Sequence, residues 1–211
     1  MSSTPQRHTR ANGEASRAKI LAAATEIASE RGYDGTSIAL VSKRCGLPAS
    51  SIYWHFANKD DLIAAVIERS FGQWLGAWTI PEAGSVGERV AEMTAQVAKA
   101  LQESPDFLRL GLMLTLERRP VEPRARDEFL SVRRQAHVAL STAIAEFVPG
   151  LDAANREQLA TYAMAGADGL FLAKEIGGDS VDLISLFALH GQLLMDAAER
   201  MLGQSVTPPD E

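Results

Sequence analysis

Apolar residues recur three and four positions apart along nearly the whole chain, and nowhere do they alternate with period two over a useful length. That pattern predicts helices and no sheet, because residues three and four apart share one helix face. The first stripe is Ile20, Leu21, Ala24, Ile27 and Ala28. It predicts a helix from Glu14 to Arg31, closed by Gly32, with Tyr33 folding back on the stripe. A much shorter stripe of Ile38, Val41 and Cys45 follows. Thr36 and Ser37 precede it with hydroxyls able to cap a helix start, and Gly46 suits its left-handed end. Leu47 anchors a tight turn, and Pro48 fits the opening turn of another short helix, whose inward pair is Ile52 and Phe56. Asn58 then caps a long helix carrying Leu62, Val66, Phe71, Trp74, Leu75 and Trp78, which Ile80-Pro81 stops. Beyond a Gly/Pro linker, Pro81 to Gly87, five helical segments are expected at about 86–103, 105–118, 122–148, 152–176 and 180–202.

The short helix after Pro48 is unusual on its outer faces. Ser50, Ser51, Tyr53, Trp54 and His55 can all donate or stack, and none belongs in a core of this size. Two helices joined by a Gly-containing turn, the second polar and aromatic outside, form the arrangement that lays a recognition helix in the DNA major groove. Ala49, at its start, offers a methyl contact and no side-chain hydrogen bond. Lys59 stands beside the Asn58 cap, and a helix N-terminus with a lysine is a phosphate site. Arg17, near the start of the first helix, and Arg44, at the end of the second, are further candidates for the DNA backbone.

The run GTSIALVSKRCGLPASSIYWHFANKDDLIAAV resembles the DNA-binding head of the TetR (tetracycline-repressor-like) transcriptional regulators. The resemblance covers about Ser16 to Phe71: a capped second helix, a Gly-apolar turn, a Tyr-Trp-His-Phe run and an Asn-Lys-Asp-Asp entry into the next helix. Leu40 and Ala49 depart from it, standing where the family usually has a polar residue and a longer polar reader. The resemblance implies phosphate contacts from Tyr53, His55 and Lys59, with Thr36 or Ser37. It implies base-edge contacts from Ser50, Ser51 and Trp54. It also implies that the last two helices pair with those of a second copy as a four-helix bundle.

Those last helices are apolar on more than one face. The expected dimer interface is Leu159, Ala163, Gly166, Leu170, Leu183, Leu186, His190, Leu193, Leu194 and Ala197. Small residues there let another helix approach closely. Trp74, Trp78, Phe107, Leu110, Met113, Leu114, Phe129, His137 and Tyr162 form the candidate lining of a small-molecule pocket, although the same residue types make an ordinary core.

Net charge is −6 over 211 residues, which argues against nucleic acid until its distribution is seen. Residues 1–59 hold eight Lys/Arg against four Asp/Glu, net +4; residues 60–211 hold thirteen against twenty-three, net −10. A basic head on an acidic body focuses phosphate attraction at one end. The single cysteine, Cys45, excludes an internal disulfide framework and a CxxC metal site. No apolar run reaches the roughly 18 residues needed to span a bilayer, and the first residues lack a signal peptide's apolar region. A cytoplasmic location is therefore expected. Gly177-Gly178 lacks the Lys-Ser/Thr of a phosphate loop, and neither HExxH nor a serine nucleophile elbow is present. No catalytic residue, metal or cofactor is expected.

The expected protein is thus all-α. A disordered arm (1–13) precedes a three-helix helix-turn-helix head (14–60). A long helix joins the head to a helical ligand-binding and dimerisation body (61–203), and a disordered tail (204–211) follows. Movement in the body would reposition the head through that helix. The expected function is a homodimeric repressor, released from a palindromic double-stranded operator by an unknown small-molecule effector. The alternatives are an activator or inducer-independent repressor of the same fold, or an all-helical binding protein or enzyme with a scaffold-only N-terminus.

Overall fold

The structure, a computed structural model, describes residues 5–205, with side chains from 12 to 203. Among the described residues nine α-helices follow in order: α1 Pro5–Gly35, α2 Ile38–Cys45, α3 Ala49–His55, α4 Lys59–Gly76, α5 Val86–Glu103, α6 Asp106–Leu116, α7 Arg124–Phe147, α8 Ala153–Gly177 and α9 Leu183–Ser205. A 3-10 turn, Gly178–Ser180, joins the last two. The described residues are all-α, with a three-helix N-terminal segment, a long α4 and a helical remainder. Helix α1 starts at Pro5, inside the stretch expected to be a disordered arm, and its trace breaks at Gly32 with φ of +68°. The expected tail falls outside the described residues from 206 onward. Helix α4 ends at Gly76, short of Trp78 and Ile80.

The chain divides into two compact units, but not at residue 60. The first comprises the chain up to Gly72 together with Pro105–Val132; the second comprises Gln73–Ser104 and the chain from Arg133. The head therefore includes α6 and the start of α7. The reason is packing that no helical period reveals. Ser29 of α1 hydrogen-bonds Asp106 of α6, and Phe71 meets Phe107 edge-on at 5.8 Å. Phe129 of α7 lies so close over Gly111 that a Cβ there would sit 1.9 Å from its ring. Helix α4 is buried on every side from Leu62 to Ile67, so it runs through the middle of this unit and not along its edge.

The second unit packs α5, the rest of α7, α8 and α9 around Val90, Ile144, Phe147, Val148, Leu159 and Ala198. Ser85 and Glu88 close a reciprocal capping box at the start of α5. Arg133 and Asp168 tie α7 to α8 through a bidentate ion pair at 2.6 and 2.9 Å. Burial holds the Asp168 carboxyl above its ordinary range, against the pull of the guanidinium. An apolar cavity of about 50 Å³ remains among Val90, Met93, Ile144, Leu159, Leu194 and Met195.

Candidate nucleic-acid interface

Helices α2 and α3 are set by local chemistry. Ser37 has extended backbone and its Oγ accepts from the Leu40 N–H at 3.3 Å, capping α2. Gly46 ends the helix at φ +72°, a conformation with a steric cost for any residue bearing a Cβ. Ser42 Oγ donates to the Leu47 carbonyl at 2.7 Å and fixes the turn. Pro48 occupies the N-cap position of α3, one residue before the first turn. Val41, Ile52 and Phe56 anchor the pair to the core.

With that face buried, the rest of α3 is turned out. Tyr53 is 56% and Trp54 77% exposed. Ser50 is exposed, and Ala49, Ser51 and His55 are half-buried. Trp54 meets His55 edge-on, ring centroids 4.5 Å apart. Burial, and secondarily the positive charge of Arg17, holds the His55 imidazole below its ordinary pKa. Arg17 itself lies over the Phe56 ring at 5.4 Å. These two residues open on a polar cleft of about 240 Å³ shared with Asp61, Glu68, Arg124 and Glu128.

Three candidates stand differently from expectation. Thr36 is 1% exposed and its hydroxyl donates to the Gly32 carbonyl at 2.8 Å. Its side chain closes the α1 break and is not available to a phosphate, which leaves Ser37. Arg44 is held by Glu26 at 2.9 Å and Glu30 at 3.2 Å, both on α1. Acids spaced four apart on a neighbouring helix capture the guanidinium, so it is already partnered. Lys59 donates to the Tyr33 carbonyl at 3.2 Å and lies 4.2 Å from the centre of the Tyr33 ring. Tyr33, half-buried, therefore holds a candidate phosphate ligand in place. Its position directly after the helix-breaking Gly32 was the available signal.

The expected pocket residues are divided between the two units. Phe107, Leu110, Leu114 and Phe129 are core of the first unit, and Met113 beside them is largely exposed. Trp74, Trp78, His137 and Tyr162 belong to the second unit. There Trp74 and Trp78 pack edge-on at 5.6 Å, His137 contacts Thr161 at 3.3 Å, and Tyr162 faces out. Neither cavity described above is lined by any of them.

The expected dimer residues lie on α8 and α9, and most of them are covered within their own unit. Leu159, Ala163 and Leu183 are buried within their own unit, and Leu194 and Ala197 pack against its core. His190 turns onto α8: its Nε2 lies 3.0 Å from the Ala163 carbonyl oxygen, and its ring fills the space above Gly166. Leu170 and Leu186 are half-buried. The outward stripe is instead Tyr162, Ala165, Gly169, Leu172 and Ile176 on α8, with Ile184, Leu189 and Leu193 on α9. Of the expected set, Leu193 alone is shared with it.

Residues 20–66 match the family model described as bacterial regulatory proteins, tetR family. A stretch of 106 residues is 31% identical to the HTH-type transcriptional repressor Rv1353c of Mycobacterium tuberculosis (strain ATCC 25618 / H37Rv). That match covers 50% of this chain and 41% of the relative, so the chain spans about two fifths of that protein's length. Among solved structures, the fatty acid degradation regulator FadR from Bacillus halodurans superposes with a TM-score of 0.70 at 18% identity, covering 92% of this chain and 96% of its own. FadR from Bacillus subtilis in complex with stearoyl-CoA gives 0.67 at 21% identity, covering 85% and 97%. At such identities the likeness is one of fold.

Proposed function

We propose, from the match of residues 20–66 to the tetR family model and the likeness to the repressor Rv1353c, that the chain is a tetR-family regulator acting as a homodimeric, DNA-binding transcriptional repressor. It acts in the cytoplasm, without cofactor or catalysis. The observation that carries this reading is the division of α3. Its inner residues Ile52 and Phe56 are anchored in the core, while two large rings and a row of hydroxyls face solvent. An inward-anchored helix with stacking and donating groups outside suits a major groove better than it suits a scaffold. Tyr53, His55, Lys59, Ser37 and Arg17 hold phosphates; Ala49, Ser50, Ser51 and Trp54 meet base edges and thymine methyls.

The uncharged outward stripe of α8 and α9 pairs with its copy about a two-fold axis. Two heads then reach successive major grooves, about 34–36 Å apart, on a palindromic operator. The stripe's aliphatic and small residues suit the same stripe on a second copy, and among the described residues no helix is long and apolar enough to cross a membrane. A small molecule that binds the two head spacings unequally releases the operator. The Bacillus subtilis neighbour was solved with stearoyl-CoA, which makes acyl thioesters a class to test. The 50 Å³ cavity of the second unit is far below the roughly 300 Å³ of a ligand pocket. An effector seated in that cavity must therefore open the core around it, and this same observation favours a second reading: an inducer-independent repressor.

An electrophoretic shift with the DNA flanking its own gene tests the central reading. Retarded migration of that fragment at low nanomolar to micromolar protein, lost in a Tyr53→Ala/Lys59→Ala variant that still folds, supports it. No shift, or an unchanged shift in the variant, contradicts it. Thermal shift against acyl-CoA thioesters separates the two readings, because a ligand for the folded state raises Tm.

A further inference from the structure

Helix α7 begins without a capping side chain of its own. Pro123 has no N–H to offer, and the first exposed donors of the helix are the N–H groups of Arg124 and Ala125. Both donate to Asp60, in the first turn of α4: Arg124 N–H to Oδ2 at 2.5 Å and Ala125 N–H to Oδ1 at 3.0 Å. The cap of α7 thus comes from more than sixty residues away in sequence. Asp60 is not needed for its own helix, because Asn58 Oδ1 already accepts from the Asp61 N–H at 2.9 Å. A third donor, the Tyr33 hydroxyl, reaches Asp60 Oδ1 at 3.3 Å. Next to this joint, Asp61 pairs with the Arg124 side chain.

The residue preceding Asp60 is Lys59, and it rests on the same tyrosine through the Tyr33 carbonyl and ring. The Tyr33 ring also meets Arg119, whose guanidinium carbon is 5.4 Å from the ring centre. Arg119 belongs to the α6–α7 connection, is almost buried, and bonds Asp34 at 3.3 Å. The tyrosine hydroxyl is pushed up to about 12, chiefly by burial and then by Asp60, so it remains a donor throughout the neutral range. Charge-assisted bonds from backbone N–H groups to a carboxylate are among the stronger and more directional contacts available. The first turn of α4 therefore cannot shift relative to α7 without breaking two of them.

Resting on the DNA-binding reading above, we propose that Asp60 is a positioning residue for operator binding: by capping α7 and engaging Tyr33, it sets where Lys59 meets the phosphate backbone. Simple electrostatics predicts the opposite consequence for its removal. A carboxylate beside DNA repels phosphate, so neutralising it should by itself tighten binding. The sign of the effect therefore separates positioning from mere charge.

The test uses the full chain and a fluorescent duplex taken from upstream of its own coding sequence, titrated at several salt concentrations. Asp60→Asn is expected to weaken binding about tenfold and to speed amide exchange at Arg124 and Ala125. The loss caused by Lys59→Ala should shrink in the Asp60→Asn background, because residues acting as a unit are not additive. Asp60→Asn binding as tightly as the wild type or more tightly, with Lys59→Ala costing the same in both backgrounds, overturns the proposal. If Asp60→Asn does not fold, Tyr33→Phe decides: it removes one donor, and a two- to threefold loss is expected, on the order of one weak hydrogen bond. Unchanged binding by a folded Tyr33→Phe then overturns it. A wild-type chain that binds no duplex at all removes the DNA-binding reading, and this inference with it.

Discussion

Helix α3 and the α8–α9 pair each leave large apolar side chains in solvent, and the two surfaces differ in how those side chains are surrounded. On α3 the exposed groups are aromatic, Tyr53 and Trp54, set among Ser50, Ser51 and His55. On α8 and α9 they are mainly aliphatic, Leu172, Ile176, Ile184, Leu189 and Leu193, with Gly169 and Ala165 between them and no charge in the α8 stripe. A ring with a polar edge, surrounded by hydroxyls, suits a partner that is itself polar and stackable. A bare aliphatic stripe with small residues in it suits another helix. The lesson is that exposure marks a partner, and the polar groups dressing the exposed residues say which kind.

The contrast is most easily broken at the aliphatic surface. Leu193→Asp or Leu172→Glu places a charge in the proposed dimer seam. Sedimentation is expected to show a monomer, and operator affinity should fall about a hundredfold or more, since one head must then bind alone. A variant that stays dimeric and binds normally would remove the seam from α8 and α9. Next in size are the α3 changes. Lys59→Ala should weaken binding about tenfold and reduce the salt slope by about one, while leaving oligomeric state untouched. Trp54→Ala should change the preference among operator variants more than it changes the salt slope.

Smaller effects sharpen the picture of what holds α3 outward. Ser37→Ala deletes the α2 cap and should cost about 1 kcal/mol of stability, read from the denaturation midpoint. Thr36→Val should destabilise by a comparable or larger amount and leave the salt slope unchanged, because its hydroxyl serves the Gly32 carbonyl. The smallest expected effect is a pH dependence at His55. Its folded-state pKa lies below the ordinary 6.5 through burial and Arg17. The unfolded chain therefore binds the proton more readily, and this contribution to stability is present above about pH 6.5 and lost as pH falls below it. A His55→Gln variant should flatten that part of the stability profile.

The helix-turn-helix was legible because its determinants are local. A hydroxyl before Ile38, a glycine at 46, a proline at 48 and two inward residues four apart each act within one turn of themselves. The outward face of α8 was not legible, for a definite reason. Periodicity locates a face only when the opposite face is polar. Residues 159–176 are apolar nearly all round, so Leu159 and Ala163 could not be told from Tyr162 and Leu172 until α5 and α9 covered the former. Thr36 and Ser37 posed the same difficulty at shorter range: both lie between α1 and α2, Ser37 with extended backbone, and only the bond from the Thr36 hydroxyl to the Gly32 carbonyl shows which of the two turns inward. Residue type alone does not distinguish a side chain facing a void from one filling it, so Phe107, Leu110, Leu114 and Phe129 read equally as pocket or core until their burial is seen. Arg44 with Glu26 and Glu30, and Asp60 with the start of α7, are pairings between segments distant in sequence, to which a single-sequence pattern is blind.

The most direct test of the central claim is fluorescence anisotropy of the full chain against a labelled duplex from upstream of its own gene, run as a salt series on the wild type and on Tyr53→Ala/Lys59→Ala. Saturable wild-type binding that weakens steeply with salt is predicted. The double variant should keep the wild-type melting behaviour and oligomeric state, bind at least tenfold more weakly, and show a shallower slope. Equal affinity and equal slope for the two proteins would contradict it.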